Sequence, residues 1–287
     1  MKWFKLREWL WLRPALKVIA VLMLLWAGQV VAQDSVKFGF SPWTTPELLQ
    51  AWGKPIEASL ERHTGMPFQI SSSASLQKFL VAGISEQFDV MQCPMHLGLY
   101  LVRYHGFRVA LFARAKLRML VVTRKNAGID RLSQLKNTKM AVTSPIAIST
   151  LMADEAMGKH VFHARLVREK DHWQAIEALQ KGRVQSATVI DYLYLGLSAP
   201  LKNKLKVLHY YPTALDGLVV TPESRGEDWR KKVASSLIDF KPHKTSLISG
   251  FGSAEEGELK EWFEKMNVYV ESVNRFMDKK YFSKKTL

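Results

Sequence analysis

Two successive βαβ patterns, separated by a pair of apolar runs and followed by a helical tail, predict an α/β protein with two lobes. Each lobe is expected to be a mostly parallel sheet flanked by helices, and two strands are expected to join them as a hinge. The 287-residue chain is 47% hydrophobic and 11% aromatic, which suffices to bury the cores of two medium domains. No internal repeat, low-complexity stretch or long linker interrupts the pattern.

The first βαβαβ set begins at Val36 to Phe40, an alternating segment that runs into a Ser-Pro loop. Thr44 with Glu47 forms a capping box, and Leu48, Trp52, Ile56 and Leu60 recur at helical spacing until Gly65. Met66 to Ile70 reads as the second strand. Ser75 caps a helix carrying Leu76, Phe79 and Leu80, and Phe88 to Met91 is the third strand, entering Cys93 to His96. Apolar runs at Arg108 to Ala113 and Leu117 to Thr123 lead to the second set. There Lys139 to Val142 is a strand, Leu151 to Met157 a helix stopped by Gly158, and Leu166 to Arg168 a further strand. Asp171 caps a helix through Trp173, Ile176 and Leu179 that ends at Gly182, and Ser186 to Ile190 is a strand terminating at Asp191. Leu205 to Tyr211 and Leu218 to Thr221 are strand-like. From Glu227 the pattern is helical to the end, with Trp229, Val233 and Leu237 on one face and Leu259, Trp262, Phe263 and Met266 on another. The expected division is a leader over 1–32, one lobe built from 33–117 and 215–287, and a second lobe over 118–214.

The leader is expected because Lys2, Lys5, Arg7, Arg13 and Lys17, against Glu8 alone, precede an uncharged apolar run from Val18 to about Gly28. Val30 and Ala32 stand at the minus-three and minus-one positions, so cleavage after Ala32 and a periplasmic location follow. An uncleaved anchor is the alternative. Removing the leader's five basic and one acidic residues from 41 Lys+Arg and 26 Asp+Glu leaves 36 against 25, a net charge of +11. Such an excess favours anionic partners. Nucleic acid is not expected, because the basic residues are scattered and the protein is exported. The single cysteine, Cys93, excludes an internal disulfide and a cysteine-based zinc site. No His-Glu-x-x-His spacing or phosphate-cradling glycine loop is present, so no metal or cofactor is expected.

The order of Val36-Lys-Phe-Gly-Phe-Ser-Pro-Trp43, Thr45-Pro-Glu47, Trp52, Pro55-Ile56, Leu60, Thr64-Gly65, and Phe88-Asp-Val90 before Pro94 resembles one subfamily. It is the phosphonate/phosphate-binding subfamily of type 2 periplasmic binding proteins, the substrate-binding components of ABC transporters. The likeness continues through Leu120 to Arg124, Gly128 to Lys136, Lys139 to Val142 and Gly182 to Asp191, and covers roughly residues 36 to 220. The resemblance implies a two-lobe type 2 periplasmic binding protein fold that closes on a small anionic ligand and delivers it to an ABC permease. It implies no enzyme. In relatives the second-lobe loop is rich in serine and threonine and ends Ser-Gly-Tyr at a helix start, where its hydroxyls and amides hold the phosphonate. This chain has Ala147-Ile148-Ser149-Thr150-Leu151 there, so Ser149 matches, Thr150 replaces glycine and Leu151 replaces tyrosine. That departure motivates an alternative, an exported protein of the same fold that feeds a membrane signalling kinase. A monomer is expected in either case.

Ligands of open α/β sheets sit beyond the carboxyl ends of the strands, where helix N-termini offer free N–H groups to anions. Four junctions qualify: Ser41 to Thr45, Ser73 to Ser75, Cys93 to His96, and Ser144 to Thr150. The candidate ligand-binding residues are therefore Ser41, Trp43, Ser75, Cys93, His96, Ser144, Ser149 and Thr150, with Asp191 and Tyr192 at the end of the last strand of the second set. For each a packing or capping role stands beside the binding one, and Ser75 and Ser144 suit N-caps particularly well. A catalytic role for Cys93 is rejected, because no base is fixed by spacing and a strand-end thiol before proline packs. Arg114, Lys116 and Arg118 alternate on one sheet face, where they line either the cleft mouth or a solvated edge.

Overall fold

The structure is a computed structural model that describes residues 35–42, 46–159, 163–211, 215–242 and 246–282. The expected leader, the Thr44 end of the capping box and Trp43 lie outside the described residues. Alternation and helical spacing resolve into the expected order. Strand β1 (Val36–Phe40) precedes α1 (Pro46–Thr64), β2 (Phe68–Ser71), α2 (Leu76–Ile84), β3 (Val90–Pro94) and α3 (Met95–Tyr104). Gly65, at φ 70°, ends α1 in a left-handed turn that a residue with a Cβ would strain.

Next, β4 (Phe107–Leu117) passes through Arg118 into β5 (Met119–Arg124), and β6 (Lys139–Val142), α4 (Ile148–Lys159), β7 (Arg165–Arg168), α5 (His172–Gln180) and β8 (Ser186–Ile190) follow. The chain continues through α6 (Asp191–Leu195), α7 (Ala199–Lys202), β9 (Leu205–Tyr210), β10 (Leu215–Pro222), α8 (Glu227–Leu237), β11 (Gly250–Ser253) and α9 (Glu256–Met277). Strand β11 corrects the reading of an all-helical tail. Its Gly-Phe-Gly-Ser sequence has no alternating signal, and it is held as an edge by pairing with β4 from Gly250↔Arg114 to Ser253↔Leu111.

The strands form two sheets, of order β11-β4-β10-β3-β1-β2 and β7-β6-β8-β5-β9. Strands fed by helical crossovers pair in parallel: β1 with β2 and β3, and β6 with β7 and β8. The strands that carry the chain between the sheets pair antiparallel, β10 with β3 and β4, and β5 with β8 and β9. The continuity of β4 into β5 places the end of one sheet beside the start of the other.

Side-chain alternation along β5 shows how the core is divided. Met119 and Val121 point into an apolar cluster shared with Phe79, Met91, Leu97 and Leu151, which therefore spans both sheets. Leu120 and Val122 point the other way, onto Ala175, Ile176 and Leu179 of α5. The far face of the first sheet has its own cluster, in which Phe38 and Val219 meet Ile56 and Leu60 of α1 and Val233 of α8. Among the described residues no helix is long and apolar enough to cross a membrane.

Candidate ligand-binding cleft

The carboxyl ends of the parallel strands in both sheets open on a common cleft of about 660 Å³. On the first sheet, Ser75 follows β2 as the N-cap of α2, its Oγ accepting from Lys78 N at 3.2 Å. This bond uses an oxygen lone pair and leaves the hydroxyl proton available for an acceptor in the cleft. Ser144, after β6, is in the same condition, since its Oγ accepts from Ile146 N at 3.3 Å. Ser149 in the first turn of α4 faces the same space but is buried, with its hydroxyl 3.4 Å from that of Thr143. At the start of α3 no side chain caps the helix, so its first-turn N–H groups at Met95 and His96 sit uncapped at the cleft wall.

His96 lines the cleft yet is already engaged. Its Nε2 lies 2.9 Å from the carbonyl oxygen of Ile146 across the cleft, and a carbonyl can only accept, so Nε2 carries the proton. Burial drives the His96 pKa down to about 4, opposed by the Ile146 bond, so the ring is neutral at ordinary pH. This bond clips α3 of the first sheet to the loop before α4. Two further contacts bridge the same halves: Trp52 meets Tyr192 edge-on with ring centroids 6.3 Å apart, and the Tyr269 hydroxyl donates to Glu155.

Of the sequence candidates, the structure therefore brings together Ser75, His96, Ser144 and Ser149. It does not bring Ser41, Cys93, Thr150, Asp191 or Tyr192 to the cleft wall, and each has a physical reason. Ser41 continues the ladder, donating its N–H to Gln92 O at 3.2 Å, and is fully buried. Cys93 is an interior strand residue, and burial raises its thiol far above the ordinary range, so it is an inert packing group. Thr150 lies one residue beyond Ser149 and is turned into the core, its hydroxyl unpartnered among the described residues. Asp191 accepts from Arg118 N at 3.1 Å and Tyr192 N at 2.8 Å and so ties the first crossing between the sheets. Tyr192 is spent on Trp52. Arg114 is likewise no free cation: it pairs with Asp216 at 2.9 Å and Glu258 at 2.6 Å, while Arg118 is exposed and the Lys116 side chain lies outside the described residues.

A fifth junction stands beside the four that the sequence marks. Between β7 and α5, Arg168, Lys170 and Asp171 line the cleft, with Asp171 capping α5 by accepting from Gln174 N at 2.9 Å. Arg168 and Lys170 are exposed and make no ion pair within 4 Å among the described residues, although Arg168 acts on the half-buried Asp154 and opposes the rise that burial gives its carboxyl pKa. The signal was available: a weak strand ending before an Asp N-cap is the same strand-to-helix junction that qualified the other four. Trp173, 47% exposed, stands beside them at the rim.

The model of the ABC transporter phosphonate periplasmic substrate-binding protein family matches residues 38–261. The chain belongs to this family. As a phosphonate periplasmic substrate-binding family member it is a binding component of an ABC transporter and not an enzyme. Among curated proteins none matches it. Solved structures share the fold. PhnD1 from Prochlorococcus marinus (MIT 9301), in complex with methylphosphonate, is 15% identical, with 82% of this chain and 99% of that one covered at a TM-score of 0.68. A binding protein component of an ABC phosphonate transporter from Pseudomonas aeruginosa is 14% identical, with 83% and 87% covered at 0.69. A Xanthomonas citri protein bound to ATP is 11% identical, with 84% and 98% covered at 0.68. These likenesses show the two-lobe architecture.

Proposed function

We propose that this family member captures a phosphonate- or phosphate-like oxyanion in the cleft between its lobes and delivers it, in the closed form, to an ABC permease. The lobes run over 33–117 with 215–287, and over 118–214. Residues 1–32 are a signal for export to the periplasm, removed after Ala32, and the mature protein acts as a monomer without nucleic acid. The hydroxyls of Ser75, Ser144 and Ser149, the uncapped N-terminus of α3 and the guanidinium of Arg168 supply donors. His96 and the Trp52–Tyr192 contact hold the lobes at closing distance.

The observation that supports this reading most is the pairing of half-used serine hydroxyls, one on each side of a single cleft, with the exposed cations Arg168 and Lys170 at its rim. A ligand touching both sides stabilises the closed form relative to the open one. Differential scanning fluorimetry with phosphate, phosphite, methylphosphonate and small carboxylates tests it. A ligand at about 100 times its Kd stabilises by about 2.7 kcal/mol, which raises Tm by roughly 5–10 °C in a protein of this size. No shift with any member of the panel contradicts the proposal.

A further inference from the structure

The cleft is divided along the direction in which its strands are ordered. Its polar wall comes from strands on the open side: Ser75 follows β2, the edge of the first sheet, while Ser144 follows β6 and Arg168 ends the edge strand β7 of the second. Its other wall comes from the crossing strands and their neighbours. Leu117 ends β4, Met119 begins β5, Ile190 pairs with Met119, and Leu193 and Met266 are added from α6 and α9. Leu117, Met119, Ile190 and Met266 are each at most 5% exposed, so this wall is fixed by packing.

The polar side chains that reach the crossing side are already satisfied. Asp216 accepts from Ala115 N at 2.9 Å and pairs with Arg114. His96 is bound to Ile146 O. An anionic head placed against Leu117, Met119 and Met266 would meet thioethers and methyl groups, whereas at the open side it meets the hydroxyl protons of Ser75 and Ser144 and the cations Arg168 and Lys170. The neighbouring carboxylates are engaged, Glu169 with Arg183 and Asp171 as the cap of α5. The volume, part of it open to solvent, leaves room for a longer guest. Methylphosphonate has five heavy atoms, which at about 30 Å³ for each water-sized atom fill roughly 150 Å³. The cleft holds about 660 Å³.

We infer that the ligand of this chain is an oxyanion bearing an apolar body about as large as a phenyl ring or a six-carbon chain. Its head is held by Ser75, Ser144 and Arg168, and its body lies against Leu117, Met119, Leu193 and Met266. This rests on the proposed anion capture in the same cleft and names the class of anion.

Calorimetric titration of the purified protein with methyl-, butyl-, hexyl- and phenylphosphonate, and with acetate and hexanoate as a second head-group series, tests it. Each buried methylene should tighten binding about threefold to fourfold, so hexylphosphonate should bind at least about a hundredfold more tightly than methylphosphonate. In Leu193→Ser, at a half-buried position on a five-residue helix, the hexyl-to-methyl ratio should shrink. A rise with chain length on either head supports the inference. Methylphosphonate binding as tightly as the longer members overturns it while leaving anion capture standing. Failure of every phosphonate and carboxylate in the panel to bind, with inorganic phosphate titrated beside them and also failing, overturns both.

Discussion

Gly217→Ala should destabilise the protein by about 3 kcal/mol or more, beyond the usual range for an added methyl, because the group it would strike is backbone in the middle of a sheet. A Cβ built on Gly217 falls 2.6 Å from Cys93 O and 2.8 Å from the side-chain nitrogen of Gln92. The glutamine amide can swing aside, but Cys93 O belongs to β3, which is locked between β10 and β1. Gly217 also pairs with both Pro94 and Ala113, close to where the chain re-enters the first sheet, so displacement there loosens the strands that join the lobes. Thermal unfolding should show Tm lowered by roughly 6–12 °C. Gly257→Ala is the matching control. It adds the same atom in the first turn of α9 with nothing within 4 Å, and should be neutral or stabilising by up to about 1 kcal/mol. A Gly217→Ala protein as stable as the parent contradicts the packing described for β10.

His96 should make the protein acid-labile. Its folded pKa of about 4 lies below the 6.5 of an unperturbed histidine, so the unfolded chain binds the extra proton first as pH falls. The contribution is fully present above pH 6.5 and is lost progressively through pH 4, reaching about 3 kcal/mol in all and roughly 2–3 kcal/mol by pH 4.5. His172, whose pKa is also lowered by burial against a hydrogen bond to Thr188 O, acts in the same direction. Urea unfolding at pH 7 and pH 4.5 should therefore give a smaller loss in His96→Gln than in the parent. Equal losses would show that the imidazole does not sit buried and neutral against Ile146.

What was legible in the sequence followed from local rules. Alternation at Val36 to Phe40, the Ser75 and Asp171 caps and the helical spacing of Trp52, Ile56 and Leu60 are each set by residues near one another, so they fold as they read. Strand β11 is not of this kind: its four residues gain their structure only by pairing with β4, more than a hundred positions earlier. The same distinction divides the site. Ser75 and Ser144 reach the cleft because each stands in the loop between a parallel strand and the helix that follows it, whereas Ser41, the first residue after β1, still continues the ladder. Cys93 and Thr150 stand within one to three positions of cleft residues but face the core, and a sequence does not display the direction of a side chain at the turn from strand to helix. Asp191 and Tyr192 were recognised as chemically capable, yet their partners, Arg118 N and Trp52, come from distant segments. The cations at Arg168 and Lys170 were overlooked because β7 is short and only partly buried, which gives a weak apolar pattern.

The proposed seat of the oxyanion is between the two sheets, at their strand ends. Crystals grown with methylarsonate, which has the shape and charge of methylphosphonate and scatters anomalously, test this most directly. Arsenic should lie inside the cleft, with its oxygens within hydrogen-bond reach of Ser75 or Ser144 and facing Arg168. Arsenic bound only outside the cleft, or a cleft that stays closed to the anion while the protein binds it elsewhere, would contradict it.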